Sequence, residues 1–167
     1  MADTSSSARG SISELGLGKL NFAHRVDNGP EGCNRLHGHT YELAVKVYSR
    51  NEQDGETALG DVHKVSNEIF VSLHHRVLLA SGGDNVHKDD SRILEYVGAD
   101  DKRYMFPVAD AMLIPVEQIT AETLANWVAT KIAEKLKDYA SCNAVEKIEV
   151  TLSESGTTMA SSTAMLR

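Results

Sequence analysis

Hydrophobic and polar residues alternate in two segments of the chain, and this pattern predicts two strands that each bury one face. In the segment that begins at Thr40, the apolar positions are Leu43, Val45 and Val47. In the segment that leads to Glu154, they are Ile148, Val150 and Leu152. A period of two is typical of a half-buried strand. The chain also becomes apolar in short steps between Leu15 and His24, which predicts an antiparallel partner for the Thr40 strand.

Apolar residues spaced three and four apart predict two helices. The first follows Asp61 as an acidic N-cap, ends near His74 and carries Val62, Val65, Ile69 and Leu73. The second begins at the N-cap Thr120, has Glu122 in its first turn and continues to about Lys137, with a stripe of Leu124, Trp127, Val128, Ile132 and Leu136. Between the helices, residues 93–97 and 103–106 predict a small hairpin, and residues 111–115 are a short apolar run.

This order of elements predicts an α+β fold, in which both helices lie on one face of a four-stranded antiparallel sheet. A chain of 167 residues that is 41% hydrophobic is large enough for one domain with a core. Residues 1–13 are small and polar and predict a flexible N-terminal arm. We therefore expect a single domain over residues 14–167.

Charge and composition exclude several classes of partner. The chain has 17 basic and 24 acidic residues, a net charge of -7, and no basic cluster that would bind nucleic acid or an anionic membrane. It has neither a membrane-spanning apolar stretch nor a signal-peptide pattern. Two cysteines, Cys33 and Cys142, are expected to be free thiols. The sequence thus predicts a cytoplasmic protein without a nucleic-acid or membrane partner.

Three histidines form the strongest candidate for a metal site. His37 and His39 are two residues apart at the start of a strand, so their imidazoles share one face. His24 ends the preceding strand and can lie opposite them in an antiparallel pair. Three imidazole ligands with one open coordination position are the arrangement of a catalytic zinc site, whereas a His-x-His sequence alone is often a surface pair.

Other polar residues near these histidines allow more than one interpretation. Cys33 can be a fourth zinc ligand, a buried inert thiol or a reactive thiolate. The pair His74-His75 fits a solvated helix end or a proton shuttle. Glu154 can be an exposed acid beside a turn. Helix capping accounts for Thr120 and Glu122.

Taken together, the motifs resemble the 6-pyruvoyltetrahydropterin synthase/6-carboxytetrahydropterin synthase family from about Leu20 to about Thr158. The matching features are Phe22-Ala23-His24-Arg25, Cys33-Asn34-Arg35-Leu36-His37-Gly38-His39, Asp61, Leu73-x-His75-x-x-Leu78, Thr120-Ala121-Glu122-x-Leu124-Ala125, and Glu154. Three residues between the cysteine and the first histidine are similar to the 6-carboxytetrahydropterin branch. The chain departs from the family at His74, where members usually carry aspartate.

The resemblance implies a tunnelling fold, in which trimers close their sheets into a barrel and two trimers commonly stack into a homohexamer. It implies Zn²⁺ held by His24, His37 and His39, with Cys33 and the pair His74-His75 as catalytic residues. It also implies a pterin-binding role for Glu154, together with Thr120 and Glu122.

The same resemblance implies a reaction. The expected substrate is 7,8-dihydroneopterin triphosphate, which is converted to 6-carboxy-5,6,7,8-tetrahydropterin with release of acetaldehyde and triphosphate, on the route to the 7-deazaguanine nucleosides queuosine and archaeosine. Alternatives are a 6-pyruvoyltetrahydropterin synthase, an enzyme that cleaves dihydroneopterin, or a zinc- and pterin-binding module with reduced turnover.

Overall fold

The computed structural model describes residues 10–88, 92–154 and 158–166. Its strands are β1 (Ser11–His24), β2 (His37–Ser49), β3 (Arg76–Ala80), β4 (Val86–Lys88), β5 (Ile93–Val97), β6 (Arg103–Pro107), β7 (Ala111–Ile114), β8 (Val145–Ser153) and β9 (Met159–Met165). The helices are α1 (Glu52–Leu73) and α2 (Ala121–Leu136), and short 3-10 turns span Val108–Asp110 and Ala140–Ala144.

The strands form two sheets, and the larger one has six strands instead of the four antiparallel strands predicted. Six strands in the order β7-β3-β1-β2-β8-β9 make the main sheet, and β4, β5 and β6 make a separate small sheet. β3 runs parallel to both β1 and β7, whereas the other pairs are antiparallel. The α+β class is confirmed. The two extra strands of the main sheet carry no alternation, because β3 is a short apolar run and β9 consists mostly of small residues.

The N-terminal end of β1 lies within the segment predicted to be a flexible arm. Residues 11–13 pair with residues 47–49 of β2, so they belong to the main sheet. The domain boundary predicted after residue 13 is therefore too late. Small polar residues can continue a strand when a neighbouring strand supplies the backbone hydrogen bonds. Residues 1–9 of the predicted arm lie outside the described residues.

Helix α1 begins well before the predicted cap. Its N-cap is Asn51, whose side-chain oxygen accepts a hydrogen bond from the Asp54 backbone N–H, and Asp61 lies inside the helix. Gly55 weakens the helical pattern of the first turns, but a β-carbon at this position would lie 2.8 Å from the hydroxyl oxygens of Ser11 and Ser49. The glycine therefore allows the helix to approach the sheet closely. By contrast, α2 confirms its predicted start, with Thr120 as the N-cap.

A β-bulge in β1 sets the direction of every side chain that follows it. Gly16 pairs with Ala44 and Gly18 pairs with Leu43, so one extra residue is inserted between them. Gly18 has a φ of 98°, which is accessible to glycine at little cost. An inserted residue reverses which face alternate side chains occupy. Beyond the bulge, Leu20, Phe22 and His24 all point into the core.

The main core lies between one face of the six-stranded sheet and the two helices, and it contains Trp127 and the apolar stripes predicted for both helices. A second, smaller core forms beneath the small sheet from Leu79, Leu94, Tyr96 and Ala111. In the parts of the chain that the structure describes, neither helix combines the length and apolar character needed to cross a membrane. The cytoplasmic location stays a prediction.

Candidate functional site

The three predicted metal ligands meet at one end of the β1–β2 pair. His24 is directly opposite His37 in the strand register, and His39 is opposite Phe22. Ring centroids of the three histidines are 4.7 to 4.9 Å apart, and one nitrogen from each lies within 4.8 Å of the others. Within the described part of the chain, this group contains neither a cysteine nor a carboxylate.

Hydrogen bonds at the far side of two rings leave their inner nitrogens free for a cation. Nδ1 of His37 is 2.7 Å from the Arg35 carbonyl oxygen, and Nδ1 of His39 is 2.6 Å from Oε1 of Glu154. Because a carbonyl or a carboxylate accepts hydrogen bonds, each Nδ1 donates its proton and each Nε2 keeps a lone pair. This is the second-shell arrangement that orients metal-ligating histidines.

His24 is the most buried member of the group, with 4% of its surface exposed. Among the described residues, neither ring nitrogen has a hydrogen bond of normal geometry. Burial, followed by the neighbouring His37 and His39, lowers the pKa of His24 from 6.5 to about 4, while the backbone of Ile119 and the charge of Glu154 oppose the change. A buried neutral imidazole without a hydrogen-bond partner has a nitrogen lone pair available for a metal ion. The three histidines therefore fit a divalent cation.

Cys33 lies in the loop between β1 and β2, which joins His24 to His37. The loop is closed by a hydrogen bond from the Val26 backbone N–H to the Cys33 carbonyl oxygen at 2.8 Å. The Cys33 backbone N–H in turn donates to the Pro30 carbonyl at 3.0 Å. The thiol is half-buried and is not disulfide-bonded. The fold therefore places Cys33 in the loop that joins two members of the histidine cluster, without making it part of the cluster.

Tyr41 connects Cys33 with the predicted pterin-binding residues. Its ring stacks on Phe22 at a centroid distance of 5.6 Å and contacts the His39 ring at 5.4 Å. Burial raises the pKa of Tyr41, and electrostatic interactions with Glu154, Glu122 and Cys33 raise it further. All three groups thus act on one hydroxyl. Tyr41 was not among the predicted site residues, although its position two residues after His39 places it on the same strand face.

Thr120 and Glu122 lie at the N-terminus of α2. The Thr120 hydroxyl accepts a hydrogen bond from the Thr123 backbone N–H in a capping box. A hydrogen bond with the Thr120 side chain, followed by one from its own backbone N–H, lowers the pKa of Glu122. Both residues therefore cap the helix, and Glu122 is also close enough to influence Tyr41.

The His74-His75 pair lies in the turn between α1 and β3. His75 has a left-handed backbone, with a φ of 58°, and its N–H donates to the Asn21 carbonyl at 2.7 Å. Nδ1 of His74 accepts a hydrogen bond from the Asn21 N–H at 3.2 Å. The two imidazoles stack at 4.0 Å, and the His74 ring also stacks on Phe70 at 5.0 Å. His74 therefore supports the turn from one side of His75.

Partial burial, followed by the nearby His75, lowers the pKa of His74. This agrees with its role as a hydrogen-bond acceptor, because a protonated Nδ1 could not accept from the Asn21 N–H. A carboxylate at this position could accept the same hydrogen bond.

A cleft of about 590 Å³ brings His75 and His39 to one surface. It lies where β1, β2 and β3 meet, and its other polar lining residues are Asn21, Thr40, Arg76 and Asp110. Asn21 and Thr40 are joined by a 2.7 Å hydrogen bond. Arg76 and Asp110 were not among the predicted site residues, since the parallel pairing of β3 with β7 that brings them together has no local signal in the sequence.

Comparison with known sequences matches residues 18–164 to the family model described as 6-pyruvoyl tetrahydropterin synthase. A Methanocaldococcus jannaschii protein, provisionally named 6-carboxy-5,6,7,8-tetrahydropterin synthase, is 31% identical over 138 residues, which cover 81% of this chain and 83% of that protein. A Pyrococcus abyssi protein with the same provisional name is 28% identical over 102 residues, which cover 61% and 60% of the two chains.

Solved structures show the same fold. A catalytic-residue variant of Plasmodium vivax 6-pyruvoyltetrahydropterin synthase superposes with a TM-score of 0.76 at 21% identity, covering 94% of this chain and 99% of that chain. The Plasmodium falciparum 6-pyruvoyl tetrahydropterin synthase gives a TM-score of 0.76 at 20% identity and the same coverage of both chains. The predicted tunnelling fold is thereby confirmed.

Proposed function

Because the chain belongs to the 6-pyruvoyl tetrahydropterin synthase family, we propose that it is a zinc-dependent 6-carboxy-5,6,7,8-tetrahydropterin synthase. The substrate is 7,8-dihydroneopterin triphosphate, and the lyase reaction releases acetaldehyde and triphosphate, on the route to 7-deazaguanine nucleosides. The observation that carries this proposal is the histidine cluster at the end of β1 and β2, with the Cys33 loop joining two of its members. The provisional names of the archaeal relatives favour the 6-carboxy product.

His24, His37 and His39 would hold the metal. Three neutral imidazoles leave one coordination position for substrate, and the hydrogen bonds to the Arg35 carbonyl and to Glu154 orient two of the rings. When bound, Zn²⁺ supplies Lewis-acid polarisation of the substrate's side-chain oxygens.

Cys33 and His75 would carry the proton transfers. Cys33 lies in the loop next to the histidine cluster, and its thiolate can remove a proton from a side-chain carbon of the substrate. His75 lines the cleft that also contains His39, so it would face the same substrate. His74 would assist by holding the turn through its stacking on His75 and its hydrogen bond with Asn21.

Glu154 would bind the pterin edge in addition to orienting His39. One carboxylate oxygen contacts His39, and a carboxylate can accept further hydrogen bonds from a ring N–H and an amino group. Thr120 and Glu122 would line the same end of the site, since Glu122 and Glu154 both influence Tyr41.

We also propose that the chain assembles into trimers and that two trimers stack. β7 and β9 are the outer strands of the main sheet, and unpaired edges favour pairing with another copy. A neighbouring subunit would complete the cleft, which is lined by residues of β1, β2 and β3.

Product analysis tests the proposal. The zinc-loaded protein is incubated with 7,8-dihydroneopterin triphosphate, and mass spectrometry is expected to find 6-carboxytetrahydropterin with acetaldehyde. Cys33→Ala should lose most turnover yet retain the metal, whereas Cys142→Ala is the matched control and should behave like the parent. A 6-pyruvoyl or 6-hydroxymethyl product would contradict the assigned reaction. Binding of zinc and pterin without any product would indicate a binding module instead.

A further inference from the structure

A buried ion pair follows immediately after the metal-ligand candidate His24. Nη2 of Arg25 is 2.7 Å from Oδ1 of Asp27, and the two side chains are only 3% and 2% exposed. Arg25 also donates to Oδ1 of Asp100 at 2.9 Å. The Tyr96 hydroxyl donates to Oδ2 of Asp27 at 2.6 Å. The pair is therefore tied to the small sheet, because Tyr96 belongs to β5 and Asp100 lies in the β5–β6 turn.

The small sheet is shaped around the Arg25 guanidinium. Its carbon lies 5.3 Å from the Tyr104 ring centroid and 6.0 Å from that of Tyr96. Gly98 lies against the guanidinium so closely that any β-carbon would overlap Nη1. A buried charge requires partners in fixed positions. Because these partners come from a separate sheet, the sheet and the segment that contains Arg25 must hold one relative geometry.

That segment is also the part of the loop that holds Cys33. Val26 lies between Arg25 and Asp27, and its N–H makes the 2.8 Å hydrogen bond to the Cys33 carbonyl. A β-carbon on Gly29 would lie 3.2 Å from the β-carbon of Cys33, so the thiol-bearing residue packs tightly against the start of its own loop. A movement of Arg25 or Asp27 would therefore move Cys33.

We propose that Arg25 and Asp27, anchored by Tyr96 and Asp100 of the small sheet, are positioning residues that fix Cys33 for the reaction. The inference rests on the proposed function, in which Cys33 transfers a proton. The network acts on the thiol and leaves the histidine cluster in place, because His24 and His37 are held by their direct pairing in the β1–β2 ladder. The small sheet thus contributes to catalysis through the position of Cys33.

The test removes one hydroxyl from the network in the full-length, zinc-loaded protein. Tyr96→Phe deletes the hydrogen bond to Asp27 and keeps the aromatic packing. Tyr48→Phe is the matched control, because it also removes a tyrosine hydroxyl that donates to a carboxylate, here Glu149 at 2.8 Å, on a strand face remote from the network. Asp100→Asn is a second variant, since it weakens the anchor at a more exposed position.

Three measurements are made on each variant: kcat and KM, bound zinc, and the rate at which iodoacetamide alkylates Cys33 relative to Cys142. Tyr96→Phe is expected to lower kcat about tenfold, since small displacements of a reacting group have effects of this size. KM should change less than about twofold, zinc should be retained, and Cys33 alkylation should rise at least about threefold as the loop loosens. Asp100→Asn should show the same pattern more weakly, and Tyr48→Phe should match the parent.

Parent-like kcat and alkylation in Tyr96→Phe and Asp100→Asn would overturn the inference while leaving the proposed function intact, provided that Cys33→Ala is inactive. Loss of zinc from Tyr96→Phe would also overturn it, because the network would then support the metal ligands. Full activity of Cys33→Ala would instead refute the role of Cys33 in the proposed function. The alkylation ratio does not depend on turnover, so it would still decide whether the network positions this thiol.

Discussion

His24 should make the stability of the metal-free protein strongly dependent on pH. The side chain is buried and lies beside two other imidazoles, and its pKa falls from 6.5 to about 4 on folding. At pH values between these two pKa values, the unfolded chain therefore binds a proton at His24 more readily than the native chain does. Stability contributed by neutral His24 is complete above pH 6.5 and is lost as the pH falls toward 4.

The size of the effect follows from the two pKa values. The full gap between 6.5 and about 4 corresponds to about 3 kcal/mol, at about 1.36 kcal/mol for each pKa unit. Between pH 7 and pH 5, the same values give a loss of about 2 kcal/mol in the free energy of unfolding. This window avoids the range in which most carboxylates titrate.

Urea unfolding of the chelator-treated protein at pH 7 and pH 5, at one fixed protein concentration, measures the loss. The comparison is between the parent and His24→Gln, which cannot be protonated, so that other titrating groups cancel. His63→Gln removes an exposed histidine of α1 and serves as the control. We expect His24→Gln to lose about 2 kcal/mol less than the parent, and His63→Gln to match the parent. An equal loss in the parent and His24→Gln would refute the view that His24 is buried in its neutral form.

Three further predictions concern the histidine cluster and its surroundings. His37→Ala should reduce bound zinc from one equivalent per chain to a small fraction, measured by elemental analysis, and unchanged zinc would contradict the ligand assignment. Glu154→Ala should weaken zinc binding roughly 10- to 100-fold in a competition titration because His39 loses its orienting carboxylate, whereas Glu154→Gln keeps an acceptor and should chiefly weaken pterin binding. Equal zinc affinity in both Glu154 variants and the parent would contradict this division. His74→Asp should raise turnover, most clearly at low pH, because aspartate stays an acceptor for the Asn21 N–H where the histidine becomes protonated; a pH–rate profile that is no higher than the parent's would show that His74 has a function of its own.

Local sequence patterns were sufficient to predict a helix that combines a capping residue with an uninterrupted stripe of apolar residues. α2 begins after Thr120 as predicted, because the threonine hydroxyl satisfies a free backbone N–H whatever the rest of the fold. α1 was predicted to begin ten residues too late, since its N-cap is Asn51 and not Asp61, and Gly55 in its first turns is a poor helix former. Only its contact with Ser11 and Ser49 explains why glycine is favourable there.

The strands missing from the prediction depend on partners far away in the chain. β3 lies between β1 and β7 in parallel, and β9 pairs with β8 through mostly small residues. Neither has an alternation of its own, because a strand between two others can be apolar on both faces and a small-residue edge has little to bury. The small hairpin was predicted from its own residues, but its contact with Arg25 was not.

The sequence by itself determined the α+β class, the two helical faces and the identity of the three clustered histidines, because each follows from residue type and from spacing within a few positions. The sequence allowed His24 to lie opposite His37 and His39, and the tertiary structure decided that the three rings meet. The bulge between Gly16 and Gly18 turns His24 to the inner face of the sheet, where it lies opposite His37. It also decided that Glu154 contacts His39 and that a separate sheet surrounds Arg25. These contacts join residues more than 70 positions apart, and side-chain spacing along one strand or helix contains no information about such distances.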